Sequence, residues 1–221
     1  MRYLPHPIST VIFADGEAPS EELASSVLSR ASHVIVTDGA LSNYYRLTEQ
    51  NPDVVIGDGD SVPTELLERH SLTFTRIDDQ MTNDLTKAVH HALRKGWRSI
   101  TILGGTGLRE DHTIANIFLL MDYYESGAEV QMVSDYGTFV PFSGERHFDV
   151  PQGLEVSFFP QDHLPMSAEG VTYPFHKAIY PKQWQMTLNS VTECPIRLEA
   201  EGIALLYVAS ERYVPREEIK V

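Results

Sequence analysis

Residues 99–135 read "SITILGGTGLREDHTIANIFLLMDYYESGAEVQMVSD", and the succession of patterns inside this stretch decides the class of fold. "SITIL" is a short apolar, β-branched run that stops on a glycine pair, as a buried strand does. Beyond it the periodicity changes. Apolar positions 114, 117, 118 and 121 recur at helical spacing, and "AEVQMVSD" (128–135) returns to an extended pattern. A strand, a helix and a second strand within so few residues is the unit from which parallel sheets are built.

The same alternation runs back toward the N-terminus. "TVIFAD" (10–15) precedes a helix in "SEELASSVLSR" that Ser20 can cap, and "HVIVTDG" (33–39) precedes "ALSNYYRL". "DVVIGD" (53–58) precedes "TELLERH", and "LTFTRI" (72–77) precedes "NDLTKAVHHALRKG", where positions 85, 88, 89, 92 and 93 form the apolar face. Thr82 is the expected cap of that helix and Gly96 its stop. Strands that look buried on both faces imply a parallel sheet covered by helices on each side. After residue 135 the character changes: "GTFVPF", "GLEVSFFP", "GVTYPF", "WQMTLNS" and "IALLYVA" are short β-rich runs separated by Gly, Pro and Asn. That is the pattern of a small antiparallel sandwich or barrel. The expectation is an α/β chain: a three-layer, parallel-sheet (Rossmann-like) domain over residues 1–140, then a small all-β sandwich or barrel domain over 141–221.

Composition narrows the function. With 31 acidic against 17 basic residues the net charge is −14, and no run of Lys or Arg makes a local basic patch. Binding to nucleic acid or to an anionic membrane surface is therefore not expected. Apolar runs such as "IFLLM" and "IALLYVA" are far too short to span a bilayer. Cys194 is the single cysteine, which excludes an internal disulfide or a thiolate metal cluster and fits a reducing compartment; a cytoplasmic protein is expected.

In an open parallel sheet, ligands bind outside the carboxyl ends of the strands. Here those ends carry Asp15-Gly16, Asp38-Gly39, "GDGD" (57–60), Asp78-Asp79 and "GGTG" (104–107). An isolated Asp-Gly is usually a turn, which is the ordinary reading of Asp15. Asp58 and Asp60, two apart in extended chain, point the same way, and Asp84 falls in the first turn of the next helix, where a carboxylate is cheap. Paired carboxylates repel unless a cation separates them, and hard oxygen ligands of this kind suit Mg²⁺. Asp58, Asp60 and Asp84 are the expected metal site.

The stretch "GGTGLREDH" follows a strand and opens a helix, the geometry in which backbone N–H groups of Gly105 and Gly107 can meet phosphate. It is no Walker loop, since Gly-Lys-Ser/Thr is missing, and "GDGDSV" fails the dinucleotide fingerprint. Arg109 can stabilise charge developing in phosphoryl transfer, and Asp111, His112 and Asn116 can fix that arginine and the helix start. His112 and Asn116, one turn apart, read equally well as a cap and a satisfied polar pair. Lys87 reads as solvated, His90 and His91 as surface residues. Trp184 is either a stacking residue or a core indole.

"TDGALSNYYRL", "VVIGDGDS", "DDQMTNDLTKAV" and "LGGTGLREDHTIANIFLL" come in the order and at about the spacing of the motifs ADGGAN, GDFDS, DQ…TD…KA and GxxGgRxDHxlaN. By these motifs the chain resembles the thiamine pyrophosphokinase (thiamin diphosphokinase) family, strongly over residues 35–120 and in layout beyond. The resemblance implies an α/β catalytic domain and a β-sandwich thiamine-binding domain, a homodimer with active sites at the subunit interface, and transfer of a pyrophosphoryl group from ATP to thiamine with Mg²⁺. It implies metal ligation by Asp58, Asp60 and Asp84, site carboxylates at Asp38 and Asp79, and nucleotide contacts from Gln80, Arg109 and Asp111. In the β domain it implies thiamine contacts from Tyr173 and Asn189. Departures from the pattern are Gly59 for an aromatic, Asn83 for a threonine and Leu188 for a serine. Two other readings compete: a metal-dependent nucleotide-sugar glycosyltransferase, which explains Asp58 and Asp60 only, and a non-catalytic nucleotide or thiamine sensor.

Overall fold

The computed structural model describes residues 3–211, and these fall into two compact units that divide between Asp135 and Tyr136. Residues 3–5 join the second unit rather than the first. The reason is local: the Thr138 hydroxyl donates to the Tyr3 carbonyl at 2.8 Å, and Tyr3 packs on the β core.

In the first unit β1 (Thr10–Phe13), β2 (His33–Thr37), β3 (Val54–Gly57), β4 (Phe74–Arg76), β5 (Ser99–Leu103) and β6 (Glu129–Val133) pair in parallel, in the order β6-β5-β1-β2-β3-β4. β1 is buried throughout and β5 is buried beyond Ser99, so the sheet needs cover on both faces. That cover comes from α1 (Glu21–Leu28), α2 (Leu41–Leu47), α3 (Thr64–Arg69), α4 (Asp84–Arg94) and α5 (Glu110–Glu125). Crossovers are right-handed, so the reversal of direction after β4 places α1 to α3 on one face and α4 with α5 on the other. Accordingly α1 packs against α2, while α4 lies across β1, β2 and β3 and touches α5.

Two expectations about the helices change. The cap of α4 is Asn83, whose side chain accepts from Thr86 N–H at 2.9 Å, because the Thr82 hydroxyl is taken by Asp79 at 2.6 Å. On α5 the buried side is Leu120, Met121 and Tyr123, whereas Ile114 and Phe118 are 57% and 41% exposed. The helix is apolar all round, so periodicity could not choose the side that meets the sheet.

The second unit is antiparallel: β7 (Gly137–Phe148), β8 (Glu155–Pro160), β9 (Met166–Glu169), β10 (Phe175–Ala178), β11 (Asn189–Ser190) and β12 (Ile196–Ala209). β12 organises it, pairing with β7 on one edge and with β9 then β8 on the other. Its register slips by two residues between Ala200 and Ile203, so Leu198, Ala204, Leu206 and Val208 keep facing the same core of Val140, Phe142, Val156 and Phe158. Among the described residues, 3₁₀ turns at Gln161–His163 and Gln183–Met186 interrupt the β pattern.

Candidate active site

β1 and β5 are neighbours, yet the chain leaves β1 toward β2 and leaves β5 toward β6. The crevice at such a switch point, outside the carboxyl ends of the strands, is where open α/β sheets hold ligands. Here the loops after β1 and β5 are laced together, with Ala14 N–H donating to Leu103 C=O at 2.8 Å and Gly16 N–H to Gly104 C=O at 2.7 Å. An open cleft of about 440 Å³ sits over them, with Asp15, Asp38, Asp58, Asp84, Lys87 and Arg109 on its walls.

Asp38 is the most deeply held of these groups. It begins a 3₁₀ turn after β2, is 2% exposed, and accepts from the N–H groups of Gly39 at 2.8 Å and Gly59 at 3.1 Å. Its carboxyl group lies against Gly57, where a Cβ would come within 2.3 Å of Asp38 Cγ. Only glycine leaves that room. Burial pushes the Asp38 pKa above its usual value, opposed by the two N–H bonds and assisted by the charges of Asp84 and Asp58. The Asp15 pKa is raised too, by partial desolvation first and then by the charge of Asp84.

Asp38, Asp58 and Asp84 each offer an oxygen within 4.8 Å of the others. The sequence reading placed Asp60 with Asp58 and Asp84, on the premise of an extended chain. That premise does not hold: the strand ends at Gly57 and the chain turns at Gly59, where φ is +87°. Asp60 N–H donates to Asp58 Oδ1 at 3.2 Å, its own carboxylate takes the Ser61 hydroxyl at 2.8 Å, and it does not line the cleft. The Asp58 carboxyl is held below the usual range by that Asp60 N–H, with help from Gln80 Nε2 at 3.3 Å. Where the family pattern carries an aromatic side chain, the Phe74 ring stands 3.1 Å from the position a Gly59 Cβ would take.

Lys87, read from sequence as solvated, is 4% exposed and donates to Asp84 Oδ1 at 2.8 Å. Burial lowers its pKa, but the Asp84 bond and the charges of Asp84, Asp58 and Asp79 outweigh that and raise it. The available signal was the i,i+3 spacing from Asp84. Asp79 folds its own loop, accepting from the Thr82 hydroxyl at 2.6 Å and Met81 N–H at 2.8 Å.

On the opposite wall Arg109 is paired with Asp111 through Nη2 at 2.6 Å and Nε at 3.1 Å, and Asp111 also accepts from His112 N–H at 2.9 Å. The Arg109 bond holds the Asp111 carboxyl down at about 2. Gly107 N–H is occupied by the Thr113 hydroxyl at 2.9 Å. Asn116 is a satisfied polar group: its amide N–H₂ donates to Gly105 C=O and its oxygen accepts from Asn83, each at 2.9 Å.

In the second unit Asn189 is 93% buried and makes two bonds to the backbone of Tyr173: Tyr173 N–H to Oδ1 at 3.1 Å and Nδ2 to Tyr173 C=O at 2.9 Å. The Tyr173 ring is left 70% exposed. Trp184 is 67% exposed and is no core residue.

Residues 24–132 match the family model described as thiamin pyrophosphokinase, catalytic domain, and residues 137–207 match that of thiamin pyrophosphokinase, substrate-binding domain. The chain belongs to the thiamin pyrophosphokinase family. As a thiamin pyrophosphokinase it is a transferase that acts on thiamine, and the glycosyltransferase and sensor readings fall. It is 22% identical to thiamin pyrophosphokinase 1 of Caenorhabditis elegans over 93% of this chain and 91% of that protein. In fold it is similar to thiamin pyrophosphokinases of Geobacillus thermodenitrificans (TM-score 0.77, 18% identity, 93% of this chain and 99% of that one) and Candida albicans (TM-score 0.76, 15% identity, 91% and 88%). Among the described residues no helix is long and apolar enough to cross a membrane.

Proposed function

We propose that the chain transfers a pyrophosphoryl group from ATP to the hydroxyl of thiamine, giving thiamine diphosphate and AMP, with Mg²⁺ required, and that the reaction takes place in the switch-point cleft. The observation that carries this reading is the group of three carboxylates, Asp38, Asp58 and Asp84, in a cleft shared with Arg109 and the glycine-rich loop. Hard oxygen donors at that mutual spacing fit a divalent ion that takes its remaining ligands from water and phosphate.

Asp58 and Asp84 would anchor the ion, with Asp38 as the third carboxylate. Asp60 steers Asp58 through its N–H and reaches the ion only if the turn at Gly59 opens. When bound, the ion offsets phosphate charge and orients the transferring group. Arg109 stabilises the charge that develops there, held along the loop by Asp111. Gly105 and the start of α5 favour anionic oxygens, Gly107 shapes the loop while its own N–H stays with Thr113, and Asp79, Gln80 and His112 contact the nucleotide. Asp15, on the wall of the same cleft, accepts the hydroxyl proton.

The architecture we infer is a Rossmann-like catalytic domain over residues 1–140 and a β-sandwich domain over 141–221 that binds thiamine and dimerises. Tyr173 presents its ring to thiamine, held by Asn189, and the homodimer completes each active site at the subunit interface, in the cytoplasm. Incubation with ATP, Mg²⁺ and thiamine, followed by chromatography and phosphorus NMR, tests the reaction. AMP and thiamine diphosphate in equal amounts support it; ADP or inorganic phosphate as the nucleotide-derived product overturns it.

A further inference from the structure

Between the two walls of the cleft runs a chain of side-chain amides. Thr86 N–H donates to Asn83 Oδ1 at 2.9 Å, Asn83 Nδ2 donates to Asn116 Oδ1 at 2.9 Å, and Asn116 Nδ2 donates to Gly105 C=O at 2.9 Å. Both ends of this chain have a fixed polarity. A backbone N–H can only donate and a carbonyl can only accept, so each amide has one allowed orientation and neither can flip without breaking two bonds. Asn83 is the residue immediately before Asp84, and Gly105 belongs to the glycine-rich loop; 33 residues of chain separate the two asparagines. A threonine or serine at position 83 could cap α4, but its single hydroxyl could not also reach Asn116.

We propose that Asn83 and Asn116 are positioning residues. Their amide relay ties the turn that carries Asp84 to the loop that faces the triphosphate, so that the two walls hold one spacing when nucleotide binds. This assigns Asn116 a role through Gly105 rather than a direct nucleotide contact, and gives the departure at Asn83 a function beyond capping. The inference rests on the reading of the cleft as the nucleotide site.

The test is a cycle of N83S, N116A and the double variant, with D58N alongside, each measured for thermal stability and for kcat and KM toward ATP and thiamine. Ser keeps the cap, so N83S should melt close to the wild type. A misplacement of one wall by a fraction of an ångström should raise KM for ATP by about 5- to 20-fold in N83S and in N116A, with KM for thiamine within about 2-fold of wild type. Because both break the same relay, the double variant should be no worse than N116A alone. Wild-type KM for ATP in N83S and N116A, or effects that multiply in the double variant, overturns the relay provided D58N is inactive. An active D58N with unchanged KM for ATP overturns the cleft assignment instead. Parallel losses in KM for both substrates with a lowered melting temperature would make the pair merely structural, and that too overturns the proposal.

Discussion

Gly57 carries no functional group, yet Gly57→Ala should nearly silence the enzyme. The added Cβ would lie 2.3 Å from Asp38 Cγ, 2.4 Å from Oδ2 and 2.7 Å from Oδ1. Comfortable carbon contacts begin near 3.5 Å, so the carboxylate must retreat by about 1 Å. The bonds it now accepts from Gly39 and Gly59, at 2.8 and 3.1 Å, would then exceed hydrogen-bond reach. Loss of those bonds to a buried group costs about 1–3 kcal/mol, which a stable fold survives. A displacement of that size at a reacting centre costs on the order of 100-fold in rate. Initial rates of thiamine diphosphate formation under a Mg²⁺ titration, with urea melts in parallel, check both numbers. The expected variant is folded, slower, and in need of more Mg²⁺, with Asp38→Asn behaving alike. A folded Gly57→Ala enzyme with wild-type rate and unchanged Mg²⁺ dependence would refute a role for the Asp38 carboxylate.

Lys87→Met leaves the acidic cluster without the buried cation that donates to Asp84. The melting temperature of the Mg²⁺-free protein should drop by several degrees, with most of the loss recovered on adding Mg²⁺, which differential scanning calorimetry reads directly. Asn189→Ala removes both bonds that hold the Tyr173 backbone; KM for thiamine should rise about 10-fold while KM for ATP stays put in steady-state assays. The His91 ring has a buried Nε2 with no hydrogen-bond partner, and burial, then Arg94 and Lys95, lower its pKa below the ordinary 6.5. The unfolded chain therefore binds that proton first, so this part of the stability is complete above pH 6.5 and is lost as pH falls through the lowered folded value. Urea melts between pH 7 and pH 5 should show a shallower decline for His91→Phe than for the wild type.

The sheet was legible because five strand–helix units and a closing sixth strand repeat one physical signal, apolar β runs that end on Asp or Gly and give way to helical spacing. The direction of the site was legible for the same reason, since every strand of a parallel sheet delivers its carboxyl end to one edge. What periodicity could not carry was the behaviour of the chain past those ends. Asp58 and Asp60 looked paired because alternation in a strand was extended two residues too far, across the turn at Gly59. Lys87 is buried by tertiary neighbours rather than by the helix's own pattern, and the partner of exposed Asn83 lies 33 positions along the chain. Asp15 resembled any turn aspartate, and it stays exposed; what sets it apart is its place on the cleft wall near Asp84. On α5, apolar residues on every side hid which of them meet the sheet. In the β unit, Asn189 shares no sequence signal with Tyr173, because the two lie 16 positions apart and pair only when the chain between them folds back.

Where a divalent ion binds is the most direct test of the cleft chemistry. Crystals grown with Mn²⁺ and an ATP analogue whose α–β bridge cannot be cleaved would show it by anomalous scattering. We expect one ion bonded to carboxylate oxygens of Asp58 and Asp84 at about 2.0–2.2 Å, with the triphosphate against the loop at residues 105–109. An ion held by neither aspartate, or a nucleotide seated outside this cleft, would contradict it.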